Sequence, residues 1–166
     1  MRKTISTRTI ATLSLFLALS IVSGFFLKIP YPVGGYFNFG DSFSLLAICL
    51  LGPIGIAIPV LSGLVLDLLS GSIIFLPFTF FAKLLLGTFF YLATKQKKPI
   101  FIGLILLVGV LLHAGIYLIY YLYLEGLAGF ISFGFDLLQG SISYIISFVF
   151  LKVLNFHELK THHINK

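Results

Sequence analysis

Four ionisable residues, Asp67, Lys83, His113 and Asp136, stand inside long apolar runs of this chain, and a fifth, Asp41, stands at the end of one. A charge at the centre of a bilayer costs several kcal/mol, and such residues pair with one another or face a polar cavity. Gln139 follows Asp136 by about one helical turn, and Tyr117 and Tyr120 follow His113. At 1.5 Å of rise per residue, all of them fall within roughly 15 Å of one face of the apolar layer. The other half holds little polar chemistry beyond Ser and Thr. A polar chamber above a dry floor suits capture of a small polar or aromatic solute. A proton path or an ion channel needs polar groups through the whole thickness.

Each residue also has a plainer use. Asp41 follows Gly40 at a helix start, where a carboxylate caps the helix and favours its dipole. Asp67 and Lys83 have the charges to pair and hold two spans together. Asp136 lies near enough to the interface to reach water, and His113 serves as a packing residue. Most of the aromatic excess reads as lipid-facing and core packing. Tyr36, Phe37, Tyr117 and Tyr120 are the aromatics placed to stack on a ring. Cys49 reads as inert packing.

Other chemistry is weaker. His157-Glu158 with His162 and His163 looks like a zinc-protease helix, but the facing position 161 is Thr, and that motif needs its second His four residues after the first. Ser62-Gly63 and His113 are the only candidates for an intramembrane serine protease, and nothing activates them. No glycine-rich phosphate loop with a Lys occurs, so energy for any transport comes from elsewhere. The reading is therefore a protein with no catalytic residue, metal or cofactor.

The elements that position these groups follow from composition. The chain has 166 residues, 59% hydrophobic and 10% charged, with 19 Phe, 8 Tyr and no Trp. Ordinary globular chains carry roughly 25% charge. This excludes disorder, a collagen-like chain, a nucleic-acid binder and, with Cys49 alone, a disulfide scaffold. The expected fold class is an all-α integral membrane protein, one domain over 1–166, with six transmembrane helices at about 10–27, 41–51, 54–69, 77–93, 99–123 and 131–154. The second and third are short for a span of about 20 residues. Between the first two, a loop with Pro30, Pro32, Gly34, Gly35 and Gly40 stops any helix. The net charge of +6 lies in three clusters: Arg2, Lys3 and Arg8; Lys95, Lys97 and Lys98; Lys152, Lys160 and Lys166. The positive-inside rule puts those clusters, and both termini, on the cytoplasmic side. The outer loops near 28–40, 70–77 and 124–131 then carry only Lys28 and Glu125. The first run has no cleavage pattern and is expected to be retained. Ser14 and Ala18, four apart, form a small-xxx-small pair that admits a close partner helix, and Gly140, Ser143 and Ser147 form a similar stripe.

The ordered set Gly35-Tyr36-Phe37-Asn38-Phe39-Gly40-Asp41, Leu51-Gly52-Pro53, Asp67-Leu68-Leu69-Ser70-Gly71, Pro77-Phe78-Thr79, Ala82-Lys83 through Gly87, and Leu138-Gln139-Gly140 resembles the substrate-binding S components of energy-coupling factor (ECF) vitamin transporters. The resemblance covers about residues 8–152 and looks closest to the hydroxymethylpyrimidine and vitamin B6 branch. It implies a multi-pass protein of a prokaryotic plasma membrane that captures a small water-soluble vitamin from outside. It also implies docking on a transmembrane coupling protein driven by two ATPase subunits, and toppling to release cargo inward. The loop after helix one would close over the vitamin. Ser14 and Ala18 would carry the docking contact, where family members usually have Ala at both positions. In the expected site, Tyr36, Phe37 and Tyr117 pack on the ring, while Asn38, Asp67, Lys83, His113, Asp136 and Gln139 supply hydrogen bonds or charge. Relatives have Asn where Asp136 stands, so a preference for a basic ring nitrogen or an amine is an open alternative. Riboflavin, thiamine and pantothenate are alternative cargoes. The rival functions are a membrane assembly subunit with no ligand, and a membrane enzyme using His113 and Asp136 on a lipid-borne substrate.

Overall fold

The computed structural model describes residues 6–31 and 36–164, with side chains through Val153. Arg2, Lys3, Gly35 and Lys166, and the side chains of His157, Lys160, His162 and His163, lie outside the described residues.

Among the described residues six α-helices form: α1 (Thr7–Phe26), α2 (Gly40–Leu51), α3 (Ala57–Leu69), α4 (Leu76–Thr94), α5 (Pro99–Glu125) and α6 (Gly129–Ile164). Their ends follow local chemistry. Ser6 caps α1 by accepting from the Thr9 N–H at 3.2 Å. Pro77 and Pro99 lie in the first turns of α4 and α5, where a missing N–H costs nothing. Gly52, at φ +67°, ends α2 in a conformation only glycine adopts without strain. A 3₁₀ turn, Gly52–Ile56, then leads into α3.

The loop after α1, where prolines and glycines stop any helix, is partly a two-stranded antiparallel ribbon. Strands β1 (Lys28–Pro30) and β2 (Tyr36–Asn38) pair with Ile29 opposite Phe37. The second and third helices are short, with 12 and 13 residues. At 1.5 Å per residue they reach about 18–20 Å, less than the roughly 30 Å hydrocarbon core. Among the described residues, four stretches are long and apolar enough to cross a membrane: Thr7–Phe26, Gly40–Leu69, Ile73–Thr94 and Pro99–Val153. The second takes in the short α2 and α3, while the last takes in α5 and α6, which at 27 and 36 residues each exceed the roughly 20 residues of a span.

The bundle packs α1 on α2 and α3, α3 on α4, α4 on α5, α5 on α6, and α6 back on α2. Helical periodicity sets what faces inward. Thr79, Lys83, Leu86 and Phe90 make one buried stripe on α4, and Ser132, Asp136, Gln139, Ser143 and Ser147 make another on α6. Leu, Ile, Val and Phe side chains dominate the outer faces, a contiguous apolar surface suited to lipid.

Candidate functional site

The polar residues of α3, α4 and α6 meet at the end of the bundle that carries the ribbon. There they line a cavity of about 440 Å³. Lys28, Tyr36 and Asn38 border it from the ribbon, and Gly63, Asp67, Ser70 and Ser72 from α3 and its following turn. Thr79 and Lys83 of α4, Tyr117 and Tyr121 of α5, and Asp136 and Gln139 of α6 complete it, with Phe75 beside them. Gly63 lets α3 approach α4 closely here. A Cβ at that position would lie 2.8 Å from the Thr79 methyl group and 3.1 Å from the Lys83 stem.

One buried network fixes the geometry. Lys83 Nζ donates to Asp41 Oδ2 at 2.6 Å, and Gln139 Nε2 donates to the same oxygen at 2.7 Å. Both members of the ion pair are almost fully buried. The charges of Asp67 and Lys83 allow those two to pair, but Lys83 is held by Asp41. Asp41 takes that place because the first turn of α2 points its carboxylate between α4 and α6. Asp41 is therefore more than a helix cap.

Gln139 is the hub that binds the ribbon to the bundle. Its Oε1 accepts from the Asn38 N–H at 2.8 Å and from the Tyr31 hydroxyl at 3.2 Å. The Tyr31 hydroxyl also reaches Asp136 Oδ1 at 3.1 Å, and its ring stacks on Phe135 with centroids 4.8 Å apart. Asn38 Oδ1 accepts from the Gly40 N–H at 2.7 Å and so ties β2 to the start of α2. Burial, with the Asp136 carboxylate beside it, raises the Tyr31 pKa well above the usual phenol value. Burial, with Asp67 nearby, pushes Tyr36 up to about 12. Both phenols therefore stay protonated at neutral pH and keep their donor hydrogens.

On the opposite wall, the Tyr117 hydroxyl donates to Thr79 Oγ1 at 3.0 Å. This leaves the Thr79 hydrogen free to turn toward the neighbouring Asp67. Two carboxylate oxygens, Asp67 Oδ2 and Asp136 Oδ2, are buried with no hydrogen-bond partner among the described residues. Buried polar atoms are otherwise paired almost without exception, and His113 Nε2 is a further such atom among the described residues.

Beneath the polar layer, Leu45, Ile48, Leu86, Phe90, Val110 and Tyr144 form a closed apolar cluster. The Tyr144 hydroxyl is spent on the Leu86 carbonyl at 2.8 Å. Ser44 bridges Ser20 and Ser62 at 2.9 and 3.2 Å, joining α1, α2 and α3.

Of the residues singled out from sequence, Tyr36, Asn38, Asp67, Lys83, Tyr117, Asp136 and Gln139 line the cavity together. Phe37 lies outside that lining and packs on Phe39 at 4.9 Å. His113 is fully buried behind the wall and meets Tyr117 edge-on at 5.4 Å. Its Nδ1 lies 3.3 Å from the Ala82 carbonyl, an acceptor only, so that nitrogen carries the hydrogen. Tyr120 packs on Phe75 and Phe78. Tyr121 faces the cavity instead, a position that the four-residue spacing 113–117–121 gives away. Tyr31 carries no sequence signal, because a loop residue has no periodic pattern. Among the described residues, no group of three His, Cys, Asp or Glu side chains comes together as metal ligands.

Comparison with known proteins bears on the whole chain. A family model described as the S component of an ECF-type riboflavin transporter matches residues 4–156. A solved S component of a bacterial ECF transporter superposes with a TM-score of 0.63 at 22% identity, covering 90% of this chain and 96% of that one. No curated protein sequence matches.

Proposed function

Because the chain belongs to the ECF-type riboflavin transporter S component family, we propose that it captures a flat, hydroxyl-bearing nitrogen heterocycle in the cavity above α2, with riboflavin the leading candidate. The observation that carries this reading is the cavity itself. Its volume of about 440 Å³ falls within the roughly 300–1,000 Å³ of small-molecule sites. Its aromatic walls and few convergent polar groups suit a ring with hydrogen-bonding edges. Lys28 is at the cavity end of the bundle, whereas Lys95 and Lys98 flank the far ends of α4 and α5. By the positive-inside rule the cavity then opens to the outside.

A second reading, a single-ring cargo such as pyridoxine or hydroxymethylpyrimidine, draws its support from Asp136, whose unpartnered oxygen suits a basic ring nitrogen or an amine. Titration of the purified protein with riboflavin, pyridoxine, hydroxymethylpyrimidine, thiamine and pantothenate separates the two. Riboflavin should bind tightest, with Kd below about 10 µM, roughly −7 kcal/mol. Tightest binding of pyridoxine or hydroxymethylpyrimidine would favour the second reading, and failure of all five would overturn the vitamin assignment.

For inward delivery, the subunit docks through α1 on a transmembrane coupling protein driven by two ATPase subunits. Ser14 and Ala18 lie on the exposed face of α1, where small side chains permit a close helix crossing. Ala18→Trp should abolish co-purification with the coupling protein while leaving ligand affinity within about twofold, since it is remote from the cavity. Normal co-purification would remove α1 as the docking face.

A further inference from the structure

A second concavity, of about 320 Å³, lies between α5 and α6 on the outside of the bundle. Val110 and Tyr144 form its buried floor, and Leu106, Leu107, Ile145 and Phe148 stand among its walls. The Tyr144 hydroxyl turns inward to the Leu86 carbonyl at 2.8 Å, so the floor presents apolar surface. Helical spacing carries this groove toward the cytoplasmic end. On α5, Gly103 continues the stripe of Val110 and Leu106, and a Cβ there would meet nothing within 4 Å. On α6, Lys152 follows Phe148 by about one turn, with its ammonium 5.8 Å from the centre of that ring. Gly140 faces Val110 across the two helices, and the same antiparallel register brings Lys98, just before α5, level with Lys152. From Val110 to Lys98 the rise is about 18 Å. That is a little over half of the roughly 30 Å hydrocarbon core, the depth of one leaflet.

We infer that this groove seats an acyl chain of an anionic glycerophospholipid from the cytoplasmic leaflet, with Lys98 and Lys152 holding its phosphate. The site is separate from the capture cavity and independent of which cargo fills that cavity. Both lysines are exposed, and neither has an acid partner among the described residues. The acids with described side chains, Asp41, Asp67, Glu125 and Asp136, all lie toward the opposite end of the bundle. A basic site between helices on the cytoplasmic side attracts anionic headgroups. A zwitterionic lipid offers the same chain without net charge, and free phosphate offers the charge without the chain.

The chain has no Trp, so Ile145→Trp sets a lone indole on the groove wall. The full-length variant is reconstituted in phosphatidylcholine vesicles. Phosphatidylglycerol or phosphatidylcholine with brominated acyl chains is then titrated in, and indole quenching is measured. The phosphatidylglycerol should reach half-maximal quenching at a mole fraction at least about fivefold lower than the phosphatidylcholine. Adding Lys98→Gln and Lys152→Gln should bring the two lipids within about twofold. A reference indole, Leu84→Trp on the exposed face of α4, should show the two lipids within about twofold from the start. Val149→Trp, also on the groove wall, gives the same reading should the first reporter fold poorly. Equal quenching by both lipids at the groove would overturn the inference. So would a ratio unchanged in the lysine variant, or an equal ratio at Leu84→Trp, because the attraction would then belong to the whole membrane face. Absence of quenching by either lipid would also overturn it, since protein, such as a second copy of the chain, would then cover the groove.

Discussion

Lys83→Met is expected to destabilise the purified protein by about 3–5 kcal/mol, the usual penalty for removing one member of a buried ion pair. The physical reason lies in what remains. Asp41 is 1% exposed, and without the ammonium at 2.6 Å its carboxylate would retain only the Gln139 amide donor. The pair itself gains much less than breaking it costs, because two charges were desolvated to form it. Asp41→Asn combined with Lys83→Met should therefore recover most of the loss. Thermal melting of the single and double variants in one detergent checks this. Additive losses would show that Asp41 and Lys83 are not coupled through their contact.

Gln139→Ala should weaken binding of the captured ligand about 100-fold, nearly 3 kcal/mol. The side chain makes three linked contacts: it accepts from Asn38 N–H and Tyr31 O–H and donates to Asp41. Truncation frees the ribbon from α6 and leaves a buried N–H and a carboxylate without that partner. Each such orphan costs about 1–3 kcal/mol. Tyr31→Phe removes only the phenol contacts and keeps the stack on Phe135, so it should cost about tenfold or less. Calorimetric titration of both variants decides the matter. If Gln139→Ala binds as tightly as the wild type, the ribbon is not held over the cavity by this hub.

Much of the site was legible because membrane burial makes polar residues conspicuous. Asp67, Lys83, Asp136 and Gln139 stood out by their cost in apolar runs, and all four line one cavity. The approximate places of the helices were legible from apolar runs, prolines and glycines. The pairings were not. Asp67 and Lys83 lie on adjacent elements and carry opposite charges, so sequence suggested a bond between them. The bundle instead brings α2 between α4 and α6, and Asp41 arrives first. His113 looked as though it faced the same chamber, because depth along a helix was readable while the orientation of a fully buried ring was not.

The loop shows the same divide. Its prolines and glycines forbade a helix, which is a local steric fact. The ribbon, and the bond from Asn38 N–H to Gln139, join residues far apart in sequence. Sequence alone determined that this chain belongs in a membrane, which residues are too costly there to be ornamental, and at which end they gather. These follow from transfer free energies and helical rise, both local properties. The tertiary structure decided which acid neutralises Lys83, which aromatics line the cavity, and that two buried carboxylate oxygens lack a hydrogen-bond partner among the described residues. Those depend on how helix faces rotate against one another to fill the core, and packing settles that only when all six helices are in place.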